Sequence, residues 1–445
     1  MSSAAGFEEF EQLLTRFSSK GAQPGLERIG RLFQLLGDPQ NSWPAFHVVG
    51  TNGKGSTCAF LDASLRASGC RTAFYSSPHL VTPAERLVID GTPLEAREWL
   101  DALRRVTAVL QQDSTLASAP PSYFELLTAT AFLLAAERRV EVIVAEAGLG
   151  GRLDATNLLG RVLCSISASI SRDHMEFLGN TLEEIAGEKF AVVRKDTPAC
   201  FMGDTVSLIP LFRAFCAERG AVPYILPEEA HLENVTVRPE GCSFDFCSSR
   251  LTLKGVRTRL TGRYQLDNAA LALLSLSCVQ EKIPSLTPAG ILRGMEEARW
   301  PGRLEVLSQN PWIVLDGGHN RDGVEKLMRS VAELWPESRL GIVYAAMRDK
   351  EYEACLSVLS GLRPELCTAE VPGMARCLTA GELRDAAKGL PWRGEPRAFA
   401  SPLKAVEAAL EGNDVVLVCG SLYLIGWIRP RLQAMLKEGS CDDTL

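Results

Sequence analysis

The sequence predicts an α/β protein in which parallel β-sheets are covered by helices. Apolar, strand-like runs alternate with helical patterns along most of the chain, and this alternation is typical of parallel sheets with helical crossovers. The chain has 445 residues, of which 46% are hydrophobic, so it is long enough for two or three domains. A second α/β series begins after the break at residues 299–302. We therefore expect a larger domain over residues 1–298 and a smaller one over residues 299–445.

The larger domain is predicted to begin with a strand, a glycine-rich turn and a helix from Lys54 that stops before Gly69. Short polar and β-branched stretches between residues 223 and 259 predict a group of antiparallel strands that interrupts the alternation of strands and helices. The other elements predicted here are strands at 73–76, 140–147 and 163–170, and helices at 124–137, 181–190, 265–281 and 287–298. We expect a parallel sheet of the kind found in P-loop ATPases.

The smaller domain repeats the alternation of strands and helices. Its predicted strands lie at 312–315, 339–346, 366–371, 397–401 and 414–419, with helical segments between them. Short βαβ units of this kind favour a Rossmann-like α/β domain.

Composition excludes several classes of protein. The formal net charge is −7 and there is no concentrated basic run, so nucleic acid is not expected as a partner. The 13 cysteines are scattered, with no C-x-x-C pair, and are interpreted as small buried hydrophobic side chains in a reducing compartment. No apolar stretch is long enough to span a membrane, and we expect a cytoplasmic protein.

The segment from Gly50 to Ser56, Gly-Thr-Asn-Gly-Lys-Gly-Ser, follows an apolar strand and opens a helix. Glycines allow backbone amides to approach phosphate oxygens, the helix N-terminus is positive, and Lys54 adds a mobile charge. This context predicts an ATP site. Because the glycine spacing departs from G-x-x-x-x-G-K-[ST], an ordinary strand-to-helix turn remains an alternative.

Four further strand ends carry polar groups, which is where open α/β sheets place their sites. Ser77 follows one short strand, and Glu146 ends a buried strand. A carboxylate there is costly unless it meets a cation, and Mg²⁺ with nucleotide phosphates is its natural partner. By composition alone, Ser77 would more often be a turn serine before proline.

The other two strand ends carry histidines. His174 follows a strand that ends near Ile170, and Lys189 lies on the next helix. The alternatives are a helix-approach or core histidine and a solvated surface lysine. Asp316 ends a strand of the smaller domain, with His319 in the turn that follows. Asp316 could hold a ribose or a base edge and His319 could face phosphates, whereas a capped glycine-rich turn is the competing interpretation.

Taken together, these motifs resemble those of the folylpolyglutamate synthase and dihydrofolate synthase family, relatives of the Mur ligases. The resemblance covers nearly the whole chain, and its ordered series of motifs is highly specific. Its segments are 25–29, 50–56, 77–80, 85–87, 123–125, 146–157, 173–174, 178–181, 188–189, 265–270, 300–305, 316–320, 349–350 and 420–423.

The resemblance implies a role for each matching residue. Lys54, Lys189, His174 and His319 would act in catalysis. The nucleotide would be bound by Asn52, Gly53, Lys54, Gly55, Ser56, Asn268, Arg303 and Asp316. Two Mg²⁺ ions would be held by Ser77, Glu146, His174 and Lys189, with Lys189 converted by CO₂ to a carbamate. The folate would lie along Gly25, Ser122, Tyr123, Phe124, Glu125, Leu153, Asp154 and Ala155.

The activity implied is ATP-dependent addition of L-glutamate to a folate through an acyl phosphate, with dihydropteroate as a further acceptor. The resemblance also implies a monomer whose ATP lies between the domains. A Mur-type ligase acting on a UDP-sugar peptide is the alternative enzyme, and a nucleotide-binding regulator without ligase chemistry is the other alternative.

Several residues depart from the family pattern, among them Gly318, Arg321 and Arg172, and two departures bear on the predicted site. Tyr264 stands where the family usually has histidine, so we expect a nucleotide-region contact to differ. Phe190 stands where a small residue is usual, and its ring is expected to crowd Lys189.

Overall fold

The computed structural model describes residues 4–19 and 25–442. The chain forms two compact units. The first contains the residues up to Val235 together with Ser243–Arg257 and Asp267–Ala298, and the second contains Thr236–Cys242, Thr258–Leu266 and the residues from Arg299 onward.

The strands are, in chain order, β1 Ala45–Val49, β2 Thr72–Tyr75, β3 Leu87–Ile89, β4 Thr92–Pro93, β5 Val142–Glu146, β6 Val162–Ser167, β7 Pro198–Phe201, β8 Val222–Ile225, β9 Ala230–Arg238, β10 Gly241–Ser248, β11 Thr252–Thr258, β12 Glu305–Gln309, β13 Trp312–Leu315, β14 Leu340–Tyr344, β15 Glu365–Ala369, β16 Arg397–Phe399 and β17 Val415–Cys419.

The α-helices are, in chain order, α1 Glu8–Phe17, α2 Glu27–Leu35, α3 Lys54–Ala67, α4 Ala96–Gln112, α5 Ser114–Ser118, α6 Tyr123–Glu137, α7 Met175–Leu178, α8 Leu182–Phe190, α9 Ile209–Arg219, α10 Leu226–Glu229, α11 Arg263–Val279, α12 Pro288–Glu297, α13 Arg321–Leu334, α14 Tyr352–Leu359, α15 Ala380–Ala386, α16 Pro402–Leu410 and α17 Leu422–Asp442.

An eight-stranded sheet in the order β4-β3-β2-β5-β1-β6-β7-β8 forms the centre of the first unit. Its six strands β2, β5, β1, β6, β7 and β8 run parallel, whereas β3 and β4 add an antiparallel edge. The strands β1 and β5 are buried along their whole length, as expected for strands covered by helices on both faces. The α/β class predicted for this part of the chain is confirmed.

Helix α3 is buried on nearly all sides because α12 packs closely on it. A Cβ atom at Gly294 of α12 would lie 2.3 Å from the Ser64 Cα atom of α3. Glycine at this position therefore allows the two helices to touch through their backbones. This packing fixes the helix whose first turn closes the glycine-rich loop.

The second unit contains a six-stranded sheet in the order β12-β13-β17-β14-β15-β16. All neighbours are parallel except β12 and β13. Its core includes Leu327, Ile342 and Leu417, which are almost completely buried. The α/β series predicted from residue 312 onward is confirmed, and the antiparallel edge strand β12 adds to it.

The remaining three strands form a sheet in the order β11-β10-β9. The two-residue connection between β9 and β10 can join only antiparallel neighbours, so the antiparallel strands predicted between residues 223 and 259 are present from residue 230 onward. Residues 223–225 instead belong to β8, which pairs parallel with β7 in the eight-stranded sheet. The twelve cysteines whose side chains the structure describes are free. Across residues 4–19 and 25–442, no helix combines the length and apolarity that a membrane crossing requires.

Candidate active site

The glycine-rich loop between β1 and α3 depends on two glycines with positive φ. Gly50 has φ +152° and Gly53 has φ +87°. A Cβ atom would lie 2.9 Å from the Ala168 side chain if placed on Gly50, and 2.3 Å from Asn268 Oδ1 if placed on Gly53. Both positions therefore require glycine, and Asn268 lies directly against the loop.

The end of β6 holds the other side of the loop. The Thr51 amide donates to the Ser169 carbonyl at 2.7 Å, and the Thr51 hydroxyl donates to the Ser171 carbonyl at 2.9 Å. These bonds fix Thr51 and Asn52 before the helix begins. The loop is therefore a preorganised structure supported by the sheet.

The first turn of α3 can receive an anion. No side chain caps this helix N-terminus, and the first amides of a helix have no partners within it. Lys54 Nζ donates to the carbonyls of Gly50 at 3.1 Å and Thr51 at 3.2 Å. Unpaired amides, the helix dipole and a lysine amine thus meet at one place, as in phosphate-binding loops.

Glu146 and Ser77 place oxygen atoms beside this loop. Glu146 ends β5, next to β1, and its carboxylate is 4.0 Å from Lys54 Nζ. The Ser77 amide donates to Glu146 at 3.4 Å. The Ser77 hydroxyl is buried and has no hydrogen-bond partner in the part of the chain described. A buried hydroxyl without a hydrogen-bond partner, next to a buried carboxylate, offers the oxygen ligands that a hard cation such as Mg²⁺ prefers.

Lys189 lies at the end of α8 and is only 3% exposed. Its Nζ donates to the Gly50 carbonyl at 2.9 Å, the same oxygen that Lys54 contacts. Burial, and next the charge of Lys54, lowers the pKa of Lys189 to about 7 against the opposing effects of Asp173 and Asp154. Lys189 is therefore a buried amine at the glycine loop, and the alternative of a surface lysine is wrong.

The loop after β5 holds α8 in place. A Cβ atom on Gly151 would lie 2.7 Å from the Glu188 carbonyl, so glycine allows this close backbone approach. Arg152 pairs with the Glu188 carboxylate at 2.8 Å. These contacts fix the turn of α8 that carries Lys189.

His174 precedes the short helix α7 and has φ +51°. Its backbone amide donates to Asp173 Oδ1 at 2.9 Å, and its Nε2 is 3.9 Å from Asp173 Oδ2. The side chain is 43% exposed, so the alternative of a core histidine is wrong. Its role as a metal ligand stays a prediction.

Phe190 belongs to an aromatic cluster rather than to the surroundings of Lys189. Its ring centroid lies 5.2 Å from that of Phe201 and 5.0 Å from that of Phe212, both in edge-on contacts. Consecutive residues on a helix point about 100° apart, so the two side chains occupy different faces of α8. The expectation that Phe190 crowds Lys189 is not supported by these contacts.

Replacing Phe190 with alanine is expected to lower the free energy of unfolding by about 3–5 kcal/mol, because it empties a fully buried ring position. Urea denaturation measures this change. Phe177→Ala is the matched control because the Phe177 side chain is 52% exposed. An equal loss in the two variants would contradict the cluster's structural role.

The residues expected to bind folate form a connected group in the first unit. Ser122 and Glu125 make a capping box at the start of α6, and Arg28 of α2 pairs with Glu125 at 3.4 Å. A Cβ atom on Gly148 would lie 2.5 Å from the Phe124 ring, so this ring covers the loop after β5. Gly25 lies just before α2, and the Tyr123 hydroxyl donates to Glu11 at 3.0 Å.

Asp154 is buried within the same loop, between Leu153 and Ala155. Its carboxylate accepts hydrogen bonds from the amides of Leu149 at 2.8 Å and Thr156 at 3.0 Å. It also accepts from the Thr156 hydroxyl at 2.6 Å. Burial raises the pKa of Asp154 against these hydrogen bonds. The carboxylate thus holds the loop in shape.

Asp316 directly follows β13 in the second unit and is 4% exposed. Its carboxylate accepts from the amides of Leu304 at 2.8 Å and Gly318 at 2.7 Å, and from the Tyr264 hydroxyl at 3.1 Å. Arg303 acts on it electrostatically, although burial has the larger effect and raises the pKa of Asp316. Tyr264, a departure from the family pattern, is therefore a partner of Asp316.

His319 follows Asp316 in the same turn, and its Nδ1 lies 2.9 Å from the Gly317 carbonyl. Asn320 caps α13 by accepting from the Gly323 amide at 2.8 Å. The capped glycine-rich turn described as the competing interpretation is present. The nucleotide roles of Arg303, Asp316 and His319 stay predictions.

Two contacts in the site were not foreseen. Arg28 lies near Glu125 although 97 positions separate them in the sequence. The buried His47 ring contacts the Thr156 hydroxyl at 2.8 Å, and burial lowers the pKa of His47 to about 3. No local sequence signal identifies either pair, because tertiary packing alone brings its members together.

The chain matches two known domain families. Residues 48–276 match the Mur ligase middle domain, and residues 302–422 match the Mur ligase glutamate ligase domain. The dihydrofolate synthase/folylpolyglutamate synthase of Bacillus subtilis is 35% identical over 418 residues, which are 93% of this chain and 96% of the relative.

Two solved structures are also similar over most of their length. The Mycobacterium tuberculosis folylpolyglutamate synthase complexed with ADP and AMPPCP has a TM-score of 0.87 and 28% identity, covering 96% of this chain and 98% of that one. The Escherichia coli FolC in complex with DHPP and ADP has a TM-score of 0.84 and 27% identity, with the same shares covered.

Proposed function

We propose that this chain, which belongs to the dihydrofolate synthase/folylpolyglutamate synthase family, is an ATP-dependent ligase that joins L-glutamate to a folate. The observation that carries the proposal is the convergence of two lysines and a carboxylate on one glycine-rich loop. Lys54 and Lys189 both donate to the Gly50 carbonyl, and Glu146 lies 4.0 Å from Lys54 Nζ.

The chemistry requires activation of a carboxylate, since a carboxylate is not attacked productively by an amine. A carboxylate oxygen of the folate attacks the γ-phosphorus of ATP, the bond to the β-phosphate oxygen breaks, and ADP leaves. The glutamate amine then attacks the acyl carbon, loses a proton and expels phosphate. The protein contributes positioning and charge stabilisation to these steps.

The residues of the glycine-rich loop would position ATP and stabilise the charge on its phosphates. The amides of Gly53, Gly55 and Ser56 would bind phosphate oxygens at the N-terminus of α3, and Lys54 would neutralise charge on the transferring phosphoryl group. Asn52 belongs to the loop, and Asn268 lies against Gly53. The structural relatives solved with ADP or AMPPCP support the use of ATP by this chain.

The donor set supports Mg²⁺ as the accompanying cation. Ser77 and Glu146 would hold one ion through the orphan hydroxyl and the adjacent carboxylate. His174 and Lys189 would hold a second, with Lys189 as a carbamate. A lysine whose pKa is near 7 has a neutral amine fraction at physiological pH, which reaction with CO₂ requires. When bound, Mg²⁺ would neutralise phosphate charge.

The folate would lie along Gly25, the start of α6 at Ser122, Tyr123, Phe124 and Glu125, and the loop at Leu153, Asp154 and Ala155. In the second unit, Arg303 and Asp316 would contact the nucleotide, and His319 would face its phosphates. We further propose that the protein is a cytoplasmic monomer.

Asp154→Asn tests the folate-site assignment. The amide nitrogen that replaces one carboxylate oxygen cannot accept a hydrogen bond. We therefore expect the free energy of unfolding to fall by about 1–3 kcal/mol. We also expect the KM for folate to rise more than the KM for ATP. Asp101→Asn on the exposed face of α4 is the control, and an unchanged folate KM in Asp154→Asn would count against the assignment.

Oxygen-18 in the folate carboxylate tests the proposed reaction. Attack by that carboxylate on ATP predicts that one labelled oxygen appears in the released phosphate, and mass spectrometry measures it. Unlabelled phosphate accompanying a glutamylated product would contradict the acyl phosphate. Release of ADP without any glutamylated product would favour the nucleotide-binding regulator instead.

A further inference from the structure

Three potential metal ligands meet on the solvent face of the three-stranded sheet. They are His231 and Glu233 of β9 and Cys247 of β10. Their ligand atoms all lie within 4.8 Å of one another, and His231 Nε2 is 3.1 Å from Glu233 Oε1. All three residues belong to the first unit.

Strand geometry brings these side chains together. His231 and Glu233 are two positions apart, so they project from the same face of β9. On the neighbouring strand, Phe244 and Phe246 face the core and Cys247 follows on the opposite face. The alternation therefore directs the imidazole, the carboxylate and the thiol to one patch of surface.

Cys247 is an unusual cysteine in this protein. Ten of the twelve cysteines whose side chains are described are buried, and only Cys247 and Cys278 are partly exposed. Cys247 thus presents its sulfur beside an imidazole and a carboxylate.

The donor types select the class of ion. A nitrogen, a sulfur and an oxygen donor together suit a borderline divalent cation such as Zn²⁺, whereas Mg²⁺ and Ca²⁺ prefer oxygen ligands alone. With metal–ligand bonds of about 2.0–2.1 Å, two donors of a tetrahedral site lie about 3.3 Å apart. The 3.1 Å between His231 and Glu233 is close to that spacing.

The charges around the patch also favour a cation. Glu233 and Asp245 act on Cys247 as negative charges, and Lys254 is the opposing positive charge. With His231 neutral, these groups carry one net negative charge before the thiol ionises. A divalent cation would be neutralised by Glu233 and the Cys247 thiolate together.

We propose that His231, Glu233 and Cys247 form a binding site for a zinc-class divalent cation that ties β9 to β10. Three protein ligands leave a fourth position for water or an exchangeable ligand. Binding replaces the thiol proton, which is released to solvent. The site is separate from the proposed ligase centre, and a failure of either proposal leaves the other unaffected.

Titration of the reduced, metal-free full-length protein with Co²⁺ tests this site. We expect a thiolate-to-cobalt charge-transfer band and tetrahedral d–d bands that saturate at one equivalent, and Zn²⁺ should abolish both. The proposed Mg²⁺ ligands Ser77, Glu146, His174 and Lys189 include no thiolate, so cobalt bound there cannot produce the charge-transfer band. Absence of that band in the wild-type protein would overturn the proposal.

Two variants assign the ligands. Cys247→Ser should lose the charge-transfer band, and His231→Ala should weaken Zn²⁺ binding by at least about tenfold. Both side chains are on the solvent face, and circular dichroism will verify that each variant is folded. Cys278→Ser is the matched control for the other partly exposed thiol and should retain the band. Loss of the band in Cys278→Ser, or its retention in Cys247→Ser, would show that the assigned ligand is wrong.

Discussion

Replacing Lys189 with alanine is expected to lower turnover by at least about 100-fold, because it removes the side chain proposed to hold the second Mg²⁺ near the transferring phosphoryl group. The side chain is 3% exposed and donates to the Gly50 carbonyl at 2.9 Å. In the proposed enzyme it becomes a carbamate that helps to hold the second Mg²⁺. Steady-state rates at saturating ATP, folate and glutamate measure the effect.

Three comparisons separate the proposed role of Lys189 from a loss of folding. Lys195→Ala replaces an exposed lysine that follows the same helix and should retain wild-type turnover. Lys189→Met keeps most of the buried volume and should be as inactive as Lys189→Ala. Small carboxylic acids should partly restore Lys189→Ala if a carboxylate is what the cavity lacks. Wild-type turnover in folded Lys189→Met would refute the assigned role.

Replacing Glu146 with alanine is expected to lower turnover about as much as replacing Lys189 does. Its carboxylate is 5% exposed, accepts from the Ser77 amide and lies 4.0 Å from Lys54 Nζ. Without it, the orphan Ser77 hydroxyl cannot hold a cation alone, and Lys54 loses its charge partner. Turnover should fall by about 100-fold or more, and the Mg²⁺ concentration needed for half-maximal turnover should rise.

Glu141→Ala is the control for this experiment, since Glu141 lies just before the other end of β5 and is exposed. It should leave both turnover and the Mg²⁺ requirement unchanged. A Glu146→Ala protein with normal folding, a normal rate and a normal Mg²⁺ requirement would exclude Glu146 as a ligand.

Most of the fold could be predicted because its strands and helices have clear local patterns. Strand β13 occupies the predicted residues 312–315, and α3 begins at Lys54 and ends before Gly69 as predicted. The edge strands β3, β4 and β12 were not foreseen. Strands β3 and β4 have only three and two residues, and β12 mixes apolar with polar residues, so none of them shows a clear period. The pairing order of β5, β1 and β6 also depends on contacts between distant segments.

The candidate site was predictable where function imposes unusual residue patterns. The glycines at 50 and 53, Glu146 at a strand end and Lys189 all belong to motifs that the sequence displays. The direction of the Phe190 ring was not predictable, because its partners lie on β7 and α9. The Tyr264 hydrogen bond to Asp316 likewise depends on packing within the second unit.

The most direct test of the account is ADP release by the purified protein with Mg²⁺, ATP and L-glutamate, comparing tetrahydrofolate with dihydropteroate as acceptor. We predict release that requires both glutamate and a folate acceptor. Turnover with both acceptors would establish a bifunctional synthase, and turnover with tetrahydrofolate alone would restrict the enzyme to polyglutamylation. No glutamate-dependent release with either acceptor would contradict the proposed function.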